Sequence, residues 1–296
     1  MSTSESTWHL YEYKPSLVAA AIFAALFLIT TSFHLYQRVK SHAKFLNPFI
    51  AGGVFQVIGY CSRGAAHFHE TSTTIYALQT LLLLLAPTLY AASIYMILAR
   101  IIISVKAQHL SLIPVKWLTK IFVCGDILSF ILQGAGGGIM TSGSSSSLKI
   151  GQWVIIVGLC VQLLFFGAFL IASIIFHLRI HGAPTAESEK AMSRGRSCLP
   201  YDWRGLLFAC YFVSVLILIR SVYRVVEFAQ GNSGYVISHE WFLYVLDALM
   251  MLLVMLTLNL FHPSVVLNNK RQHQRDGSYE AVLQPEYHMR RISEGA

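Results

Sequence analysis

Seven stretches of this chain are apolar over enough residues to cross a lipid bilayer, and that limits its fold more tightly than anything else in it. A hydrocarbon core of about 30 Å needs about 20 mostly apolar residues of helix. The windows that meet this length run over about 16–37, 48–67, 75–103, 117–138, 150–177, 203–226 and 240–262. The first opens at Pro15-Ser16 and the second at Asn47-Pro48. Proline is tolerated at such a start because the amide it lacks would have no helical partner there. Pro87 lies in the middle of the third window, where it should kink the helix or free a carbonyl. The expected fold is therefore all-α: a polytopic seven-transmembrane bundle over 16–262, after a short 1–15 segment and before a polar, flexible 263–296 tail.

Charge supports the membrane reading. Only 12% of residues are charged, against about 25% in an ordinary soluble domain. The net charge of +8 sits in short linkers between apolar runs, which removes nucleic acid as a partner. Arg38, Lys40 and Lys44 occupy the first linker, Lys106 and Lys116 the third, and Arg179, Lys190, Arg194 and Arg196 the fifth. The tail adds Lys270, Arg271, Arg275, Arg290 and Arg291, while the linkers around Glu70, Ser142–Ser147 and Asn232 are acidic, serine-rich or neutral. Basic linkers stay in the cytosol, so this alternation predicts an outside N-terminus and a cytosolic C-terminus. The first window is read as a retained anchor, because no basic n-region or cleavage site precedes it. The five cysteines imply no disulfide framework.

An ionisable side chain inside a span costs several kcal/mol unless it is paired or meets water. This chain carries Arg63 in the second span, Asp126 in the fourth, Arg220, Arg224 and Glu227 in the sixth, and Glu240 and Asp247 in the seventh. Helical spacing puts Arg220, Arg224 and Glu227 on one stripe, Glu240, Tyr244 and Asp247 on another, and Arg63, His67 and Glu70 on a third. At about 1.5 Å per residue, Arg63 lies roughly 22 Å from the cytosolic start of its span. The charges of the sixth and seventh spans then fall in the outer half, with Asp126 near the midplane. Gln133 and Gln162 add uncharged polar groups. These ten residues are the candidate site: Arg63, Asp126, Gln133, Gln162, Arg220, Arg224, Glu227, Glu240, Tyr244 and Asp247. Three uses remain open for them: interhelical ion pairs that fix packing, a polar chamber for an amphiphile's head, and a proton relay through Asp126 or Asp247.

Other chemistry finds little support. His67 and His69 lie at the outer end of the second span and His177 and His181 at the inner end of the fifth, too far apart to share a metal. No Walker A sequence, dinucleotide fingerprint or nucleophile elbow is present, so neither enzyme activity nor a cofactor is expected. The glycines of Gln133–Gly138 suit either close helix approach or an unwound helix end lining a cavity. Arg290-Arg291-Ile292-Ser293 fits a basophilic kinase site, making Ser293 a regulatory candidate in a tail that could meet anionic lipid or a cytosolic partner.

These motifs, in this order, resemble the fungal RTA-like family, the lipid-translocating exporters. They include Gly59-Tyr60 with Arg63, then Ala86-Pro87 with Tyr90, Tyr95 and Arg100, and Gly125-Asp126 with Ser129 and Gln133. Gly158-Leu159 with Gln162 comes next, then Arg220-Ser221-Val222-Tyr223-Arg224 with Glu227, and Glu240, Tyr244, Asp247, Asn259 and His262-Pro263. Gln56 departs from the pattern, where a glutamate is expected. The resemblance implies a plasma-membrane protein that exports or flops sphingoid bases, phospholipids or porphyrin-like amphiphiles. The alternative is a seven-helix receptor signalling through its basic linkers and tail. Against it, Arg100 lacks an acidic neighbour, and the seventh span has neither an Asn-Pro-x-x-Tyr end nor a retinal lysine.

Overall fold

A computed structural model of the chain describes residues 15–69, 72–140, 145–188, 203–230, 235 and 239–264. Among these residues there are seven long helices and no strand. They are α1 (Leu17–Ser41), α2 (Asn47–Ala66), α3 (Thr73–Ser104), α4 (Val115–Met140), α5 (Ser145–Gly182), α6 (Trp203–Gln230) and α7 (Glu240–Leu260). Six of them are long and apolar enough to cross a membrane, and α4 is not one of the six. α4 nonetheless has 26 residues and packs between α3 and α5, while carrying Lys116, Lys120, Asp126 and Gln133. Glu70, Cys198, Ser293 and the basic residues of the fifth linker beyond Ser188 lie outside the described residues, as does the tail after Ser264.

Local chemistry sets the helix ends. Ala19 N–H donates to Ser16 Oγ at 3.3 Å, capping α1, and Ile75 N–H donates to Ser72 Oγ at 3.5 Å at the start of α3. Each cap satisfies one of the four amides that a helix start leaves without a partner. α1 stops at His42, which turns into the left-handed region at φ 53°, and Arg38 and Lys40 in its last turn complement the negative end of the helix dipole.

Each helix packs on its sequence neighbour, and α7 returns to α1, so the seven close into a ring. α3 also packs against α6 across the middle, and these two are the most buried of the six membrane-length helices. α1 is the least buried of them, with Val18, Leu28, Ile29 and Tyr36 more than half exposed. In lipid such an apolar face is the solvated one, since lipid tails replace water as the solvent there. Small residues allow the tightest approaches. A Cβ on Gly136 would lie 2.6 Å from Gly151 O, so α4 and α5 touch backbone to backbone. The glycines near the end of α4 thus belong to a helix that continues to Met140, and close approach is what Gly136 provides.

α7 is not a plain α-helix. Its first turn, Glu240–Leu243, leads into a π-helical segment, Tyr244–Leu249, before α-geometry resumes at Met250–Leu260. A π turn inserts an extra residue and rotates the rest of the helix about its axis, and such turns often sit at functional positions.

Candidate functional site

The buried charges on α6 and α7 meet in one cluster. Arg220 Nε donates to Asp247 Oδ1 at 2.7 Å, and Arg220 Nη2 donates to the backbone carbonyl of Leu83 at 2.7 Å. That carbonyl is available because its ordinary helical donor would be the amide of residue 87, four positions on, and Pro87 has none. The proline expected to free a carbonyl does so, and an arginine from another helix takes it. Arg224 donates from Nη2 to Asp247 Oδ2 and from Nη1 to Glu227 Oε2, the latter at 2.7 Å. Tyr223 adds its hydroxyl to Glu227 Oε1 at 3.3 Å. Two guanidinium groups and two carboxylates therefore balance, with Arg220 at 0% and Asp247 at 1% exposure. The π turn of α7 contains Asp247, so the wide turn presents the carboxylate that both arginines share.

A second, shallower group lies near the start of α7. Arg63 Nη2 donates to Glu240 Oε1 at 2.7 Å, and Arg63 Nε donates to the Tyr244 hydroxyl at 3.2 Å. Glu240 also accepts from the backbone amide of Ser16 at 2.9 Å, and the His67 ring nitrogen Nδ1 bonds the Pro15 carbonyl at 2.8 Å. The α1 start is thereby tied to α2 and α7 together. Stacked aromatics line the way to the deeper cluster. The Phe23 ring lies 5.3 Å from that of Tyr244 and 5.8 Å from that of Tyr60, centroid to centroid. Between Glu240 and Asp247 the rise is roughly 10 Å, so the two groups occupy successive levels of one interior.

Not every candidate joins them. Gln133 Nε2 donates to Ser129 Oγ at 2.7 Å and to Gln162 Oε1 at 3.1 Å, and Ser129 Oγ donates to the Gly158 carbonyl at 2.6 Å. This neutral ladder staples α4 to α5. Asp126, two turns earlier on α4, is 4% exposed. The Tyr95 hydroxyl is a polar neighbour of its carboxyl group, but neither carboxyl oxygen nor that hydroxyl is in hydrogen-bonding geometry. No guanidinium pairs with Asp126 among the described residues. Its surroundings are aromatic: the Tyr95 ring is 5.5 Å from Phe122 and 4.5 Å from Phe169. Of the ten candidate residues, seven thus share the α2–α6–α7 interior, two form the α4–α5 ladder, and Asp126 stands alone.

Several residues outside the ten candidates belong to the same interior. Tyr223 and the Leu83 carbonyl complete the deep cluster. The Tyr60 hydroxyl and both amide atoms of Gln56 are buried without a hydrogen-bond partner, as are Arg220 Nη1 and Arg224 Nε. Buried polar atoms are rarely left this way, and each one in a native fold calls for a reason. The spacing 56, 60, 63 on α2 was the available signal, since it puts Gln56 and Tyr60 on the stripe of Arg63. Among the described residues, no three His, Cys, Asp or Glu side chains come together as metal ligands. His177 instead stacks on Tyr211, 5.7 Å between ring centres.

No solved structure matches the chain significantly. Protoporphyrin uptake protein 1 of Saccharomyces cerevisiae is 37% identical, over 86% of this chain and 92% of its own length. Protein RTA1 of the same yeast is 32% identical, over 97% of this chain and 96% of its own. The sphingoid long-chain base transporter RSB1, also from Saccharomyces cerevisiae, is 30% identical over 82% of this chain and 70% of its own. The family described as RTA1 like protein matches residues 49–270, a stretch that begins inside α2 and runs past the end of α7, taking in every charged residue of the interior. A multi-pass helical membrane protein with this match is a member of the RTA1-like family.

Proposed function

We propose that this protein is a translocator of lipids or other amphiphiles at the plasma membrane, crossing the bilayer seven times with its N-terminus outside. The carrying observation is an interior that is balanced in charge but incomplete in hydrogen bonding. Its three arginines and three carboxylates are paired across α2, α6 and α7. Arg220 Nη1, Arg224 Nε and the Tyr60 hydroxyl still lack partners, as do both amide atoms of Gln56, one turn from Tyr60 on the same face of α2. A lining of this kind offers arginine donors to an anionic phosphate or carboxylate and carboxylate acceptors to a cationic amine, each by exchange with an existing ion pair. The names of the relatives support amphiphilic cargo, because one is a sphingoid long-chain base transporter and another a protoporphyrin uptake protein. Export from the inner to the outer face is the direction we favour. The chain carries no nucleotide-binding sequence, so net movement would draw on a gradient, a partner, or simple equilibration.

The test separates transport from stability. Gln56→Leu and Tyr60→Phe remove partnerless polar atoms and leave every ion pair intact, so the fold should survive both. Cells expressing these variants at the normal surface level should move a labelled long-chain base or porphyrin several-fold more slowly than wild type. Cargo movement at the wild-type rate in both, with Glu227→Gln also unaffected, would remove this interior from the transport path.

A further inference from the structure

A concave apolar groove of about 340 Å³ runs along the outer surface of α4, lined by Trp117, Lys120, Ile121, Cys124, Leu128 and Phe165, with Gly125 in its wall. That volume is at the low end of the roughly 300–1,000 Å³ range of small-molecule sites. The groove is separate from the interior described above: Ile121, Cys124 and Leu128 face outward, whereas Phe122, Asp126 and Ser129 face the bundle. Gly125 lets the Phe165 ring of α5 lie directly against the α4 backbone, where any Cβ would collide with it, and that contact shapes the wall.

Charge distinguishes the two ends of the groove. Its Leu128 end is wholly apolar. Its other end, in the first turns of α4, holds Lys120 with its Nζ 5.5 Å from the Trp117 ring centre. Lys116 stands one turn before it, exposed like Lys120. Neither lysine forms an ion pair among the described residues, although Lys106 of the preceding linker does, with Glu187 at 3.4 Å. Two exposed lysines without an ion pair, one in the first turn of the helix and one in the second, give this end of the groove a positive charge that favours an anion. A slot for a hydrocarbon chain that begins at an anion site fits one molecule with both parts.

We propose that this groove binds an anionic glycerophospholipid of the cytosolic leaflet, its phosphate on Lys116 and Lys120 and one acyl chain along Ile121, Cys124 and Leu128. The inference rests on the orientation proposed above, which puts the start of α4 on the cytosolic side, where anionic lipids are concentrated. It gives the translocator a lateral lipid site on α4 and α5, distinct from the charged interior of α2, α6 and α7. Interfacial lysine and tryptophan residues also anchor helices with no lipid specificity, so the experiment must separate a bound lipid from the ordinary lipid shell.

The full-length protein is reconstituted in phosphatidylcholine vesicles containing a trace of phosphatidylserine or phosphatidylcholine with a photoactivatable acyl chain. Crosslinks are then mapped by peptide mass spectrometry. Phosphatidylserine should label the α4 segment 117–128 several-fold more than phosphatidylcholine does. Lys116→Gln with Lys120→Gln should abolish that preference, and Lys116→Arg with Lys120→Arg should keep it. Cys124→Trp or Leu128→Trp, which fill the groove from its lipid side, should suppress labelling by both lipids. Equal labelling by the two lipids, spread over all outward-facing helices, would overturn the proposal, as would a preference that survives loss of both lysines. Labelling does not depend on transport, so a failed groove with normal cargo movement leaves the translocator reading intact. A labelled groove with no cargo movement does the reverse.

Discussion

The α6–α7 interior and the middle of α4 both bury carboxylates, and they treat them in opposite ways. Asp247 receives two arginines that are themselves held by Leu83 O and Glu227. Asp126 has only the Tyr95 hydroxyl near its carboxyl group, outside hydrogen-bonding geometry, and lies among aromatic rings. Burying an ion pair costs desolvation that its attraction only roughly repays, whereas removing one partner from an existing pair leaves an uncompensated charge. The two carboxylates should therefore answer the same substitution with different signs. The largest effect expected is Asp247→Asn, which strands Arg220 and Arg224 and should destabilise the bundle by about 3–5 kcal/mol. Thermal unfolding in detergent measures it, and a loss below about 1 kcal/mol would mean that the cluster is less tightly paired than its distances indicate.

The link between Pro87 and Arg220 comes next. Arg220→Lys keeps the charge but cannot serve Asp247 and Leu83 O in the same forked geometry, so it should cost about 1–3 kcal/mol, the range for losing a charge-assisted hydrogen bond. In a Pro87→Ala background, residue 87 can donate to Leu83 O itself and the cost should shrink. A double-mutant cycle reads the difference directly. Strict additivity would show that the arginine and the proline are neighbours without being coupled. On the α4–α5 side, Gln133→Ala removes two neutral hydrogen bonds and some buried packing but strands no charge. Its cost should be about 1–3 kcal/mol, below that of Asp247→Asn.

These contrasts also mark what could be read in advance. Apolar runs announced every helix, and the starts at Pro15-Ser16 and Asn47-Pro48 came from where a helix tolerates proline. Position along each helix was legible too, because rise per residue puts Arg63, Glu240 and Asp247 where their side chains can meet partners from neighbouring helices. Rotation about the helix axis was not. Whether Asp126 turns toward Arg224 or toward Tyr95 depends on how α4 packs on α3 and α5, and that packing is set by Gly125, Gly136 and Gly158 meeting residues more than a dozen positions away. The π turn at Tyr244–Leu249 was hidden for a similar reason: helical spacing already puts Glu240, Tyr244 and Asp247 on one face, so the pattern gave no hint of an extra residue in the turn. Gln56 was visible as a departure from the family pattern, but its role as a buried, partnerless amide needed the structure.

Asp126→Asn is the smallest effect expected and the sharpest test of the comparison. The substitution keeps shape and volume, and it removes a carboxyl group that has no paired cation or formed hydrogen bond to lose. If the α4 carboxylate is as isolated as its surroundings indicate, the variant should unfold at or above the wild-type temperature, since an amide is cheaper than a carboxylate to hold in an apolar site. A carboxylate held at a cost in stability is the trade-off expected of a working residue, so under the translocator proposal cargo movement should fall even though the fold does not. A loss of stability comparable to that of Asp247→Asn would instead mean that Asp126 has a strong partner in the working protein. The bundle would then hold two ion-paired centres, and the distinction between its halves would disappear.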